Sequence, residues 1–287
     1  MKSGDSMKKV IVITGASSGF GYEAAISLAE KGNTVYAVAR RIEKLKELEK
    51  YGIKTFKLDV TDYPESGRVI NEIIKVEGQI DVLVNNAGYG ELGPIEMVSM
   101  ENAKKQMEVN VFAMANMCKL VIPTMREHHS GRIINISSVA GRTTTYYGGW
   151  YNVSKYSVEA LSDNLRMELK RFGISVTIIE PGPFKTNWGV IAAENIINTT
   201  KDSVYEEDGI GVANLYKSMY NNGSFFVQDG GKVSKKIIKL ALKKRVKARY
   251  LVGRFTRFMV FGRKMLPTKL SDRIVINLRK KFYYEGL

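Results

Sequence analysis

Apolar residues along this chain follow two periods in turn. Residues 10–13 are an unbroken β-branched run, the pattern of a strand buried on both faces of a parallel sheet. Further candidate strands lie at 33–39, 53–58, 80–84, 131–136 and 174–179. Between them the spacing turns helical. Ala24, Ala25, Leu28 and Ala29 share one face, and helical spacing returns over 100 to about 127 and 151 to about 172. Asp62 or Thr61 can cap the helix after the third strand, and His128-His129 marks a solvated helix end. Strand and helix alternate with connections of a few residues. That order predicts an α/β fold: a Rossmann-type, doubly wound parallel sheet of about seven strands with helices on both faces.

The alternation fails over 183–231, too long a stretch for a plain connection, and the expectation is a lid of short helices. It resumes with an amphipathic helix at 232–244, a seventh strand at 249–253 and helices at 254–266 and 269–282, the last capped by Thr268. Residues 1–7 read as a disordered start, and 8–287 as a single domain whose helical C-terminal extension covers 254–287.

Composition narrows the class. With 44% hydrophobic and 25% charged residues the 287-residue chain has an ordinary globular make-up. One cysteine, Cys118, excludes an intramolecular disulfide, and with no signal peptide in view the expected setting is cytoplasmic. One cysteine and two histidines leave no transition-metal set. Charge is uneven: residues 232–287 hold 18 Lys+Arg against 2 acids, a net of +16, which leaves the remainder at −1.

Three strand ends carry candidate chemistry. The first runs into Thr14-Gly15-Ala-Ser17-Ser18-Gly19-Phe20-Gly21 and then a helix, an anion site if it is more than a tight turn. The second ends in Arg40-Arg41 with no carboxylate at its tip. A guanidinium suits a 2′-phosphate, so the expected cofactor is NADP(H) rather than NAD(H), unless both arginines merely solvate a helix start. The fourth ends in Asn85-Asn86-Ala87-Gly88, where ligands sit in such sheets. Inside an apolar helix, Asn110 needs a buried partner, as a satisfied core amide or as a kink or water site near the chemistry. Tyr151 and Lys155 stand four apart on one helix face, thirteen residues beyond Ser138. An ammonium there lowers a tyrosine pKa from about 10, and a second positive charge such as an oxidised nicotinamide would lower it further. A chance surface pair is the alternative.

Taken together, Thr14-Gly15-x3-Gly19-x-Gly21, Asp59, Asn85 to Gly88, Asn110, Ser138, Tyr151-x3-Lys155 and Pro181-Gly182-x3-Thr186 resemble the short-chain dehydrogenase/reductase family. The likeness is to its compact single-domain subgroup, of hydroxysteroid and retinol dehydrogenase type, and covers about residues 8–186. The resemblance implies that Tyr151 is the acid/base and that Lys155 binds the nicotinamide ribose. It implies that Ser138 bonds the reacting oxygen and Asn110 holds a water in a relay towards Lys155. It also places Gly15, Ser17, Ser18, Gly19, Phe20 and Gly21 on the dinucleotide, with Arg40 and Arg41 near the adenosine ribose. Asp59 and Val60 would meet the adenine; Asn86, Ala87 and Gly88 would line the adenosine side. Pro181, Gly182, Phe184 and Thr186 would contact the nicotinamide end. The family is often dimeric or tetrameric, so the resemblance allows a homo-oligomer, although the basic tail could block one common interface.

Aromatic residues crowd the irregular stretch: Phe184, Trp188, Tyr205, Tyr216, Tyr220, Phe225 and Phe226, with Tyr146, Tyr147 and Trp150 beside the catalytic helix. They suit a lipophilic alcohol or ketone (steroid, retinoid or fatty chain), or else pack the lid onto the body. In 254–266, Phe255, Phe258, Met259, Gly262 and Leu266 form one stripe with Arg254, Arg257 and Lys264 largely elsewhere. A basic helix with an apolar stripe reads as a solvated face or as peripheral contact with an anionic membrane. No stacking or groove-reading motif supports nucleic acid. The expectation is an NADP(H)-dependent oxidoreductase on a hydroxyl/carbonyl pair; the competing class is a catalytically silent NADP-binding regulator on the same fold.

Overall fold

The structure, a computed structural model, describes residues 8–185, 188–220 and 227–284. The expected disordered start at 1–7, and Thr186, Phe225 and Phe226 among the candidates, lie outside the described residues. In chain order the first half is β1 (Val10–Thr14), α1 (Gly19–Glu30), β2 (Thr34–Ala39), α2 (Ile42–Glu49), β3 (Lys54–Lys57), α3 (Tyr63–Glu77) and β4 (Val82–Asn85). Then α4 (Met100–Met107) passes through a π-helical turn (Glu108–Phe112) into α5 (Ala113–Glu127), followed by β5 (Gly131–Ile136), α6 (Gly149–Leu169) and β6 (Ile174–Pro181). The rest is β7 (Phe184–Lys185), α7 (Trp188–Thr200), α8 (Glu206–Tyr220), β8 (Gln228–Asp229), α9 (Gly231–Leu242), β9 (Arg249–Val252), α10 (Thr256–Met265) and α11 (Thr268–Tyr284).

Seven parallel strands form a sheet in the order β3-β2-β1-β4-β5-β6-β9. Strand alternation sorts its side chains. Ile11, Ile13, Val82 and Val84 point into one core with Ala24 and Leu28 of α1, Leu45 of α2 and Ile237 of α9. Val10, Val12 and Leu83 point into the other with Val69 of α3, Met117 of α5 and Leu169 of α6. Burial on both faces is what the β-branched run at 10–13 requires. Asp62 caps α3 by accepting from Glu65 N–H at 3.0 Å. His128 follows the end of α5, its Nδ1 2.9 Å from the Thr124 carbonyl oxygen.

Two features depart from expectation near the site, the first for a long-range reason. The sixth strand runs on through Glu180 and Pro181, because β9 pairs with it there. In place of short helices, the irregular stretch holds helices of 13 and 15 residues, α7 and α8, closed by a two-stranded parallel pair between β7 and β8.

The sheet order reverses beside β1, which has β2 on one side and β4 on the other. Chain leaving these strands in opposite directions opens a crevice at their C-terminal ends, where such sheets hold ligands.

Candidate active site

The glycine-rich turn after β1 is shaped by two glycines. Gly15 sits at φ +66°, and a Cβ there would come 2.8 Å from the Ala87 Cα. At Gly21 a Cβ would come 2.6 Å from Asn86 Nδ2. The turn is thus pressed against the loop after β4 and tied to it. Asn86 Nδ2 donates to the Thr14 and Gly15 carbonyls, both at 3.1 Å, and the N–H groups of Asn86 and Ala87 donate to Thr14 Oγ1, both at 3.0 Å. Thr14 had no role assigned from sequence, and it is the post to which both loops are fastened.

Helix α1 then starts with its N-terminus free for a ligand. Ser18 at the cap makes no side-chain capping bond, and the first turn carries no acid. Helix N–H groups left in that state attract phosphate. Beside them Arg41 reaches back over the turn: its Nη2 donates to Ser17 Oγ at 3.0 Å and Ser18 Oγ at 2.8 Å. These groups fit a dinucleotide carrying an extra phosphate on the adenosine ribose. Asp59 Oδ1 accepts from the N–H and hydroxyl of Thr61 at 3.1 and 2.8 Å, which holds its loop at the crevice edge.

At the other end of the crevice, Ser138 leaves β5 and Tyr151 and Lys155 lie in the first turns of α6. Lys155 is buried, 6% exposed, and its Nζ donates to the Ile136 carbonyl at 3.1 Å and lies 5.8 Å from the centre of the Tyr151 ring. Burial pushes this ammonium down to about 8, against the pull of Glu159. The tyrosine departs from expectation. Burial pushes its phenol upward, and the hydrogen bond from Ser138 offsets only part of that. Lys155 Nζ lies 5.8 Å from the ring centre, and the chain's own cation does not lower the phenol. A low phenol pKa has to come from a further positive charge near the hydroxyl.

Asn110 is fully buried in the π-helical turn. Its Nδ2 donates to the Tyr89 carbonyl at 2.8 Å and Ser154 Oγ at 3.0 Å, and its Oδ1 accepts from Tyr89 N–H at 3.0 Å. The kink and the satisfied amide expected as alternatives are therefore both present. The carboxamide is committed to protein groups, so it positions the loop after β4 against α6.

One continuous cavity of about 1370 Å³ joins the two ends. Every residue given a catalytic or cofactor-binding role from sequence and described here lines it except Gly21 and Asn110. That volume exceeds the roughly 300–1,000 Å³ of an ordinary ligand pocket. Beyond Tyr151 the cavity is walled by aromatic rings. Trp188 lies 5.3 Å from Tyr151 between ring centres, with Tyr216 and Tyr220 at 6.0 and 6.1 Å from Trp188. Tyr147 and Tyr205 instead pack the lid onto the body.

Sequence reasoning missed the charged layer behind the site. Glu180, fully buried, accepts from Arg142 at 3.0 Å, and Glu159 accepts from Arg249 at 3.0 Å. Arg249 Nε also lies 3.4 Å from Glu180. Burial, with the Glu180 charge adding to it, pushes Glu159 up to about 7. A signal existed: Tyr151, Lys155 and Glu159 are spaced by four on one helix face.

The same arrangement has relatives. Residues 9–195 match the sequence profile of the short chain dehydrogenases. A probable short-chain type dehydrogenase/reductase of Helicobacter pylori, VdlC, is 37% identical over 273 residues, 94% of this chain and 98% of its own length. An NADPH-dependent 3-dehydrocapnine reductase of Ornithobacterium rhinotracheale is 34% identical over 285 residues, 96% of this chain and 99% of its own. The crystal structure of a short-chain dehydrogenase from Streptomyces avermitilis, 28% identical, superposes with a TM-score of 0.75 over 98% of this chain and 97% of its own. Sheet order, crevice and a profile match across most of the chain agree: it belongs to the short-chain dehydrogenase family of oxidoreductases.

Proposed function

We propose that this protein is an NADP(H)-dependent oxidoreductase that interconverts a hydroxyl and a carbonyl on a lipophilic substrate. The observation that carries the reading is the single cavity from the Arg41–Ser17–Ser18 cluster, past Lys155 and Tyr151, to a wall of aromatic rings. The NADPH dependence of the Ornithobacterium relative supports the same cofactor here.

A bound nicotinamide dinucleotide supplies or accepts the hydride. The protein's own part is placement and proton transfer. The free N–H groups of α1 hold the pyrophosphate, and Arg41 with Arg40 neutralises the 2′-phosphate. Lys155 binds the ribose hydroxyls next to the nicotinamide. In reduction Tyr151 gives its phenolic proton to the carbonyl oxygen, while Ser138 hydrogen-bonds the same oxygen and orients it. In oxidation the phenolate takes the proton back. Asn110 acts through position, by fixing Tyr89 and Ser154.

Turnover of NADPH and NADH with long-chain, polycyclic and small polar ketones tests this reading. The expected result is preference for NADPH and for the large apolar ketones; NADH used equally well, or small polar ketones preferred, would overturn it. Tyr151→Phe is expected to lose about 10²–10⁴ in kcat while still binding NADPH. A silent NADP-binding protein would show no turnover to lose. Arg41→Ala is expected to raise the KM for NADPH about 10- to 100-fold and leave that for NADH nearly unchanged, since a hydrogen bond to a charged group is worth about 1.5–3 kcal/mol.

A further inference from the structure

Helices α10 and α11 leave apolar side chains in the open that a core would ordinarily cover. On α10, Phe258, Phe261 and Met265 follow one another at helical spacing and are 75%, 62% and 64% exposed. On α11, Leu270 and Ile274 do the same at 43% and 46%. Basic residues run beside each stripe: Arg257 and Lys264 on α10, Lys269 and Arg273 on α11, all exposed. Residues 254–277 hold six basic side chains and one acid, Asp272, which pairs with Arg263 at 3.3 Å.

This surface is continuous with the cavity. Gly262 and Val275 line the interior, and Phe258, Met259, Leu266 and Ile274 both line it and stand exposed, so they form its rim. At this end the cavity therefore opens through the apolar patch.

We propose that α10 and α11 dock on an anionic lipid bilayer, and that the cavity takes its substrate directly from the bilayer through the rim at Phe258, Leu266 and Ile274. Apolar residues ringed by cations are the pattern of a helix lying in the headgroup region. Anionic lipid attracts the cations within a Debye length and the exposed rings bury below them. No helix among the described residues is long and apolar enough to cross a membrane, so the contact is peripheral. Charge favours this occupant over a second copy of the chain, which would bring the same positive sign to the same face. The docking stands on the patch and its charge. The delivery of substrate rests on the lipophilic reading above.

The test uses the full chain and phosphatidylcholine vesicles made with and without phosphatidylglycerol. Co-sedimentation is expected with the anionic vesicles, weaker at high salt and weak with neutral ones. Phe261→Ser/Met265→Ser and Arg257→Glu/Lys264→Glu alter residues outside the cavity lining. Each pair is expected to cut vesicle binding about tenfold without changing NADPH affinity. Equal binding to both vesicle types, or none to either, would overturn the docking. So would self-association without vesicles that the serine pair abolishes, which assigns the patch to a second copy. Binding to duplex nucleic acid with none to vesicles would overturn it as well. For delivery, turnover of one long-chain ketone is compared in vesicles and in detergent micelles. The glutamate pair is expected to slow the vesicle assay alone; equal slowing in both would refute delivery from the bilayer. Failure of the wild type with every ketone in micelles would sink the functional reading and leave the docking result standing.

Discussion

Lys155 is a charged group that the fold keeps out of water, with one hydrogen bond, to the Ile136 carbonyl, among the described residues. The drop from 10.5 to about 8 that burial imposes corresponds to about 3 kcal/mol, a sizeable part of the roughly 5–15 kcal/mol that holds an ordinary domain together. The sign follows from proton counts. Between about 8 and 10.5 the unfolded chain binds this proton and the folded chain does not, so stability rises with pH through that window and the cost is fully present below it. Lys155→Met is therefore expected to raise the Tm of the ligand-free protein at neutral pH, by about 5 °C from the size of that cost. NADPH-dependent turnover should be abolished in the same variant; calorimetry and a turnover assay check the two halves. The Tyr151–Lys155 pair was legible because helical spacing alone places both on one face. The inverted pKa order was not, because it depends on how deeply the surrounding chain buries the pair.

At the scale of elements, the glycine turn after β1 could be read from sequence because its constraint is local: a strand, a tight turn and a helix start within a few residues. The π-helical turn could be read only in part. A polar Asn110 in an apolar helix flagged the place, but the widened turn is held by Tyr89 and Ser154, 21 and 44 residues away. Helices were expected where α7 and α8 lie, but their length was not legible, for another reason. The buried side of α7 is Gly189, Ala192, Ala193, Ile196 and Thr200, and its glycine and alanines let aromatic rings approach and give little hydrophobic periodicity. At Gly189 a Cβ would come 2.2 Å from the Tyr220 ring. Gly88 brings the loop after β4 against the π-helical turn and α6, since a Cβ there would stand 3.0 Å from Asn110 Oδ1 and 3.7 Å from Lys155 Nζ. Gly88→Ala is expected to lower kcat/KM by about 10- to 100-fold, since misplacement by about 1 Å costs up to about that much. The Tm should move little, because the neighbour that must yield is a side chain; steady-state kinetics and thermal melts on one sample separate the two effects.

Across the whole molecule, the buried charges tie the end of the chain to its catalytic centre. Arg249 on β9 contacts Glu159 on α6 and Glu180 on β6, and Glu180 precedes Pro181 at the cavity wall. No local pattern could have joined Arg249 to Glu159, which is 90 residues earlier. Removing one partner from such a layer strands the rest, so Arg249→Met is expected to cost about 3–5 kcal/mol, measured by denaturant unfolding. The layer also sets a pH dependence opposite to that of Lys155. Glu159 titrates near 7 when folded against 4.5 as its ordinary value. Its contribution is fully present below about 4.5 and is lost as pH rises through about 7. The Tm of the wild type should fall across that window, and Glu159→Gln should flatten the curve.

The chain has two tryptophans, Trp150 next to Tyr151 in sequence and Trp188 against its ring. The Trp188 indole lines the cavity at the reaction centre, and Trp150 is one helix residue away from Tyr151. Dihydronicotinamide absorbs where indole emits, so binding the reduced dinucleotide should quench the intrinsic emission by energy transfer, and the oxidised form should leave far more of it. The protein thus carries a label-free optical gauge of the oxidation state of whatever dinucleotide it holds.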